Sequence, residues 1–332
     1  MPDVRLGEVT CPSGVLLLVD FGLLGLWSGD QAPLMPDWAA PAWMVEIANH
    51  AVDFEVVGPD AKAAALLYGE SSGYLYDRDA DFEAAFEERV REEGLDASLR
   101  ALDERVPHVE RVVNAVRGVE AAGCVELHGA WVACVAGVPQ DVTLEVFGEP
   151  HEGGADEGRW SAVSLRVPGA APTVETRSVG TVTVDCARLA FMDVAAVAAW
   201  QHTESADGRA DYAFWGEDAA DVARQVGAPA LEGAAYGWAD LPEARARELA
   251  EPIEALHASD TLRLVTDFRP HSDHYRLLEP IRASPTESAT VSVGHAQVCG
   301  FMTTWGDGSF DVERDLDVAG RLVALRVRFV EG

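Results

Sequence analysis

Two stretches of the chain carry side chains suited to acid–base or metal chemistry. Thr304-Trp305-Gly306-Asp307-Gly308 sets a carboxylate between two glycines, and His295 offers an imidazole a short way upstream. Brought within hydrogen-bond reach, Asp307 and His295 would form the acid–base pair of a hydrolase-like enzyme. The same loop also reads as a tight turn anchored by its tryptophan, because Asp-Gly is a strong turn dipeptide. A third reading makes Trp305, Gly306, Asp307 and Gly308, with Asp311 and Glu313 beyond them, the rim of a partner- or ligand-binding surface, since glycines let a backbone approach closely. The turn reading is favoured: Asp141, at the matching place earlier in the chain, lacks the tryptophan and glycines, as a turn aspartate would.

The remaining constellations are weaker. His271-Ser272-Asp273-His274 packs three ligand types into four residues, but no fourth ligand accompanies them, so a loop or helix start is expected rather than zinc. Asp307, Asp311, Asp315 and Asp317 lack the spacing of a calcium loop. Lys62, the single lysine, lies in a predicted helix rather than a phosphate loop. Cys11, Cys124, Cys134, Cys186 and Cys299 form no C-x-x-C pair, and their number is odd. Free, mostly buried thiols and no metal or cofactor are expected.

Charge narrows the partners. With 56 acids against 25 bases the formal charge is −31, so binding to a nucleic-acid backbone is disfavoured, since phosphate contact needs a cationic surface. A basic protein fits such a surface. Solubility or adaptation to a salty cytoplasm is the plainer account of the acidity. The start of the sequence lacks a basic region leading into an apolar run, and the most apolar stretch (15–27) is interrupted by Asp20 and too short to span a bilayer. A soluble, cytoplasmic protein without membrane contact is the expectation.

The elements that must position these residues come in two sets. Gly7, Val9, Thr10, Leu16, Asp20 and Trp27 recur with identical spacing as Gly180, Val182, Thr183, Leu189, Asp193 and Trp200. Asp53, Gly58, Asp60, Ala61, Ala65 and Gly69 recur as Asp211, Gly216, Asp218, Ala219, Ala223 and Gly227. Val125, Ala130, Val132, Asp141 and Val146 match Val291, Ala296, Val298, Asp307 and Val312, and Arg159, Ala162 and Arg166 match Arg321, Ala324 and Arg328. The pattern describes one module duplicated in tandem, residues 1–168 and 176–332, joined by a small-residue, proline-bearing linker at 168–173. The product would be a pseudo-dimer in one chain and a monomer in solution.

Each module opens with an aliphatic strand (15–19; 181–184 and 189–192) closed by Asp20 or Asp193, which would cap the helix that follows. Asp60 and Asp218 read as caps for helices over 61–68 and 219–226. Stretches 81–91, 95–118 (with a break at Pro107) and 241–257 carry apolar residues at helical spacing. Antiparallel strands close each module, clearest at 289–293, 297–304, 309–315 and 322–330. A two-residue loop at Val318-Ala319 would set Asp311 opposite Arg326 and Ser309 opposite Arg328, with charge on one face and apolar residues on the other. The class is α+β: two homologous modules, each a mainly antiparallel sheet covered by amphipathic helices.

Two blocks resemble a bacterial family of unknown function (domain of unknown function 4241 and its relatives). One is Thr304-Trp305-Gly306-Asp307-Gly308 followed by Asp317-Val-Ala-Gly320-Arg-Leu-Val323, similar to the family's closing W-G-D-G segment. The other is Cys11-Pro12-Ser13-Gly14 running into Asp20, similar to its opening P-S-G strand. Asp311 and Phe21 stand where the family usually has proline, and His295 where it usually has glycine. The resemblance implies no catalytic residues. The expected function is therefore a non-enzymatic interaction protein, an immunity or accessory factor that binds a basic protein, with a hydrolase-like enzyme as the alternative.

Overall fold

A computed structural model describes residues 2–26, 51–117, 121–127, 130–258 and 262–330; Trp27, the expected partner of Trp200, lies outside them. In chain order the first half supplies β1 (Val4–Thr10), β2 (Val15–Val19), β3 (Ala51–Val57), α1 (Ala61–Leu66), β4 (Tyr74–Asp79), α2 (Phe82–Glu92), β5 (Ser98–Ala101), α3 (His108–Ala115), β6 (Ala122–Leu127), β7 (Ala130–Ala136), β8 (Thr143–Pro150) and β9 (Trp160–Arg166). The second supplies β10 (Glu175–Val184), β11 (Arg188–Asp193), α4 (Val194–Ala199), β12 (Arg209–Trp215), α5 (Ala219–Val226), β13 (Tyr236–Pro242), α6 (Glu243–His257), β14 (Val265–Pro270), α7 (Asp273–Ala283), β15 (Ser288–Val293), β16 (Ala296–Met302), β17 (Gly308–Leu316) and β18 (Leu322–Arg328). Helices and antiparallel sheets mix throughout, as an α+β protein requires.

The strand orders are β1-β8-β9-β18-β17-β10 and β15-β16-β11-β2-β7-β6 for the two large sheets, and β4-β3-β5 and β13-β12-β14 for the small ones. Replacing each of the first nine strands by the one nine places later, and the reverse, turns each large sheet into itself read backwards and exchanges the two small sheets. The strands of the two halves thus interleave: β2 pairs with β11 and β9 with β18 at the sheet centres. Compact units accordingly do not follow the 1–168 and 176–332 boundaries. One unit is 1–200 with 280–332, and the other is 201–279.

The first unit is organised around a core fed by both large sheets, with Leu16, Leu18, Val135, Val146, Leu165, Val182, Phe191, Phe301 and Val327 fully or almost fully buried. A satellite core under β3–β5, built on Phe54, Leu75, Phe86 and Val90, takes the apolar faces of α1 and α2. In the second unit Tyr212, Phe214, Val222, Ile253 and Leu264 fill the space between β12–β14 and helices α5 and α6.

Several expectations change on contact with these pairings. Within 95–118, residues 98–101 form β5, because β3 offers an open edge there that a helix would leave unpaired. After Asp20 the described residues make a 3-10 turn (Leu24–Leu26). Its carboxylate accepts from the backbone N–H of Gly22, Asp185 and Cys186 at 2.7–2.8 Å. Asp193 does cap α4 through the N–H of Ala195, and its other oxygen takes the N–H and hydroxyl of Ser13. Each of these buried aspartates therefore grips the turn that precedes the other half's central strand. Asp60 and Asp218 do not cap their helices; they accept from the N–H of Asp96 and Arg263, which tie down the following loop.

Register changes too. Asp311 pairs with Arg328 and Glu313 with Arg326, two residues from the expected match. Asp317 widens the β17–β18 loop by accepting from the N–H of Ala319 and Arg321, and a bulge at 315–316 takes up the rest. A slip of two keeps every side chain on its face, so the charged face survives. On it lie Arg328 with Glu313 and Arg326 with Asp315. No helix among the described residues is long and apolar enough to cross a membrane.

Candidate functional site

The Trp305–Gly308 loop does not close a hairpin. β16 belongs to one large sheet and β17 to the other, so residues 303–307 carry the chain across from sheet to sheet. That crossing is fastened at both ends. Trp305 Nε1 donates to the Trp160 carbonyl at 2.6 Å, Thr304 Oγ1 accepts from the Trp160 N–H, and Arg159 lies 4.7 Å over the indole. The Gly306 carbonyl accepts from Thr303 Oγ1, and Asp307 Oδ1 accepts from the Ala187 N–H at 2.8 Å. Gly308 opens β17 opposite Val184. Asp311 accepts weakly from Thr181 Oγ1, and Glu313 holds Arg328. The loop is a strap whose polar groups serve the fold.

His295 lies exposed at the other end of β16, on the turn after β15. Seven residues of extended strand separate it from the strap, roughly 20 Å at about 3.4 Å per residue. Asp307 and His295 are not brought together, and the geometry offers them no shared proton. The His271–His274 segment starts α7, as expected. His271 bonds Asp211 at 3.0 Å and Asp207 at 3.3 Å through its two ring nitrogens, and His274 stacks on His202. No group of three or more His, Cys, Asp or Glu residues able to hold a metal occurs among the described residues.

All five cysteines are free. Burial pushes the Cys124 thiol up to about 11 and the Cys299 thiol up to about 12, and raises Cys11 and Cys134 as well. Such thiols stay protonated at neutral pH and make poor nucleophiles.

Two concave features stand out among the described residues, neither singled out by motif. In the second unit a groove of about 660 Å³ runs along α6. Its floor is Ala244, Ala250 and Phe268; its acidic side is Glu248, Glu251 and Glu254. Spacing of three residues puts those carboxylates on neighbouring positions of one helical face. Glu254 accepts from the Tyr212 hydroxyl, while Glu248 and Glu251 are exposed. Arg247 lies 4.5 Å over the Phe268 ring and pairs with Glu243. A guanidinium resting on an aromatic floor beside carboxylates is thus already realised within the chain.

In the first unit a cleft of about 660 Å³ opens between the edge of β10–β17 and β6–β7, closed by the segment after α1. Leu66, Trp131 and Val179 give it apolar walls; Ser71 and Thr181 give it hydroxyls, and Arg314 gives it a cation. Gly180, at the bulge of β10, has φ 136°, and a Cβ there would overlap the Cys124 sulfur. Only glycine lets the two sheets close at this point. Aligning the halves by Val146 and Val312 sets Arg314 opposite Gly148, which is the one sequence signal for this cleft.

Compared with protein-family models, with curated proteins and with solved structures, the chain matches none of them.

Proposed function

We propose that this is a cytoplasmic, non-catalytic binding protein that captures a basic protein partner, in the manner of an immunity or accessory factor. The observation that carries the reading is the α6 groove, where Glu248 and Glu251 flank an apolar floor ending in Phe268. An arginine or lysine of a partner would lay its alkyl stem on that floor and its head group between the carboxylates, displacing Arg247 from the ring. Charge supports it: arginines on the large-sheet face are engaged by neighbouring carboxylates, so the surplus available to a partner is negative and would steer it. We further infer that the chain arose by duplication of one module, supported by the matched sequence segments and the reversible strand order, and that its opening and closing blocks place it near the domain of unknown function 4241 family. The enzymatic alternative has less behind it, since Asp307 and His295 lie at opposite ends of β16.

A fluorescein-labelled arginine-rich peptide, titrated by anisotropy at 0.15 M salt, tests the groove. Glu248→Lys with Glu251→Lys should weaken binding at least tenfold. Glu87→Lys with Glu88→Lys, exposed on α2 and equal in charge change, should weaken it less than twofold. Equal losses from the two pairs would reduce the binding to undirected charge and remove the groove from the argument.

A further inference from the structure

The two halves close a matched helix in the same way but follow it with different residues. Helices α1 and α5 each end on a left-handed glycine, Gly69 (φ 81°) and Gly227 (φ 74°). The next residue returns its N–H to the helix, Glu70 to the Ala65 carbonyl at 3.2 Å and Ala228 to the Ala223 carbonyl at 2.9 Å. Alanine satisfies this ending, so the fold does not require an acid there. Glu70 is nonetheless buried, at 1% exposed, where carboxylates are rarely found. The Glu126 N–H donates to its carboxyl, while Oε2 has no hydrogen-bond partner among the described residues. Arg78 and Tyr76 face it from β4, Arg111 from α3, Glu126 and Cys124 from β6, and Cys134 from β7. Arg111 is committed to Asp53 and Asp77. Burial pushes the Glu70 carboxyl up to about 8; Arg78 and Arg111 oppose the rise, and Glu126 adds to it.

Glu70 belongs to a short segment bounded by two glycines of equal φ, Gly69 and Gly73 at 81°, a left-handed conformation that a side chain resists. Between them Ser71 donates to the Ala115 carbonyl at the end of α3 at 2.7 Å. A Cβ at Gly123 would come within 3.0 Å of the Ser71 hydroxyl, so β6 lies close against the same segment. Glu70 and Ser71 thus seat residues 69–73 on β6 and α3. We propose that Glu70 makes this seating proton-dependent, the side chain entering the interior as a neutral acid and leaving it as a carboxylate. On entry the carboxylate takes its proton from solvent, because a charge without a full set of partners is costly to bury. The seated state is therefore at full strength below about pH 4.3, the ordinary glutamate value. It weakens progressively as pH rises toward the value of about 8 that Glu70 has when seated. Gly69 and Ser71 also wall the cleft beside β10 and β17, so unseating widens it. Nothing in this device depends on the groove along α6.

Amide hydrogen exchange of the full chain, read on peptides spanning 66–79 and corrected for the intrinsic pH dependence of exchange, measures the opening. Between about pH 5.5 and 7.5 the opening constant should rise at least about tenfold in the wild type, since opening releases a proton across that range. Glu70→Gln keeps the shape of the side chain without its charge and should hold the rise below about twofold. Glu70→Ala, the residue that the second half carries at the matched place, should do the same and decides the matter should the glutamine variant not fold. A wild-type rise that exceeds that of the folded variant by less than about fivefold overturns the proposal.

Discussion

Asp53 and Asp211 occupy the same place in two small sheets and are surrounded by different chemistry. Each sits at a bulge, in β3 or β12, and each accepts the N–H of a left-handed aspartate on the neighbouring strand: Asp77 with φ 56° and Asp240 with φ 55°. There the likeness stops. Asp53 is fully buried and takes both oxygens' worth of Arg111 at 2.9 and 3.2 Å, the Val106 N–H at 2.7 Å, and Arg105 beside it. Arg111 is itself fully buried, under the Tyr76 ring. Asp211 is partly exposed and takes His271 and the Tyr275 hydroxyl instead. One backbone solution has been kept while its second layer turned from a dry ion cluster into a wetter, titratable one. Local geometry constrains the aspartate; what stands behind it is free to change.

The largest effect should separate these two aspartates. Asp53→Ala removes the nearer of the two carboxylates that meet the buried Arg111, leaving it Asp77 at 3.3 Å, unpairs the Val106 N–H, and should cost about 3–5 kcal/mol. Asp211→Ala loses hydrogen bonds that water can replace and should cost about 1 kcal/mol. Urea unfolding of the full chain, with amide exchange at Asp77 and Asp240 reporting each region, measures both. Equal costs would mean that the buried ion cluster is no more than an alternative decoration.

A second pair of aspartates should behave alike. Asp20 and Asp193 make matching reaches to the turn before the other half's central strand, both from buried positions. Replacing either by alanine leaves buried N–H groups unpaired and should cost about 2–3 kcal/mol. A difference of more than about 1 kcal/mol between them, near the error of comparing two such variants, would show that the two reaches are not equivalent.

The smallest effect is a pH dependence confined to the second unit. Burial works against a charged His271, but the hydrogen bonds and charges of Asp211 and Asp207 outweigh it and raise the imidazole above its ordinary value. The stabilisation is complete below about 6.5 and is lost as pH rises through the raised folded value. Asp207 and Asp211 are held below the ordinary carboxylate value: burial raises them, but backbone and His271 hydrogen bonds prevail. Their share is present above about 3.9 and is lost as pH falls through the lower folded values. Stability of this unit should decline between pH 6 and 8 by less than about 1 kcal/mol, because the pairs are partly exposed. His271→Gln should flatten the decline. A slope unchanged in that variant would assign the dependence to other groups.

Much of the scaffold could be read from the chain because its motifs answer local demands. Gly58 and Gly216 recur since a Cβ on either would strike the backbone carbonyl of Asp96 or Arg263, and Asp60 and Asp218 recur since they hold those same loops. The charged and apolar faces of β17–β18 followed from alternation alone. What escaped was non-local. β5 is set in its place by β3, and nothing in Ser98-Leu-Arg-Ala101 marks a strand. The strap at Trp305 resembled a turn because a sequence does not tell which sheet the next strand joins. The cleft is assembled from four separate stretches, and its arginine stood out only by comparison with Gly148.

The interleaved centre of the large sheets also governs the order of events during synthesis. β9 is complete by Arg166, but the strand that pairs with its far side, β18, begins only at Leu322. Throughout the making of the second half, a nascent chain therefore carries an open, apolar strand edge whose intended neighbour does not yet exist. Another copy's β9 offers an edge of the same sequence, so a stalled or truncated chain is built to pair with its own kind, and prompt completion of the chain is what keeps it to itself.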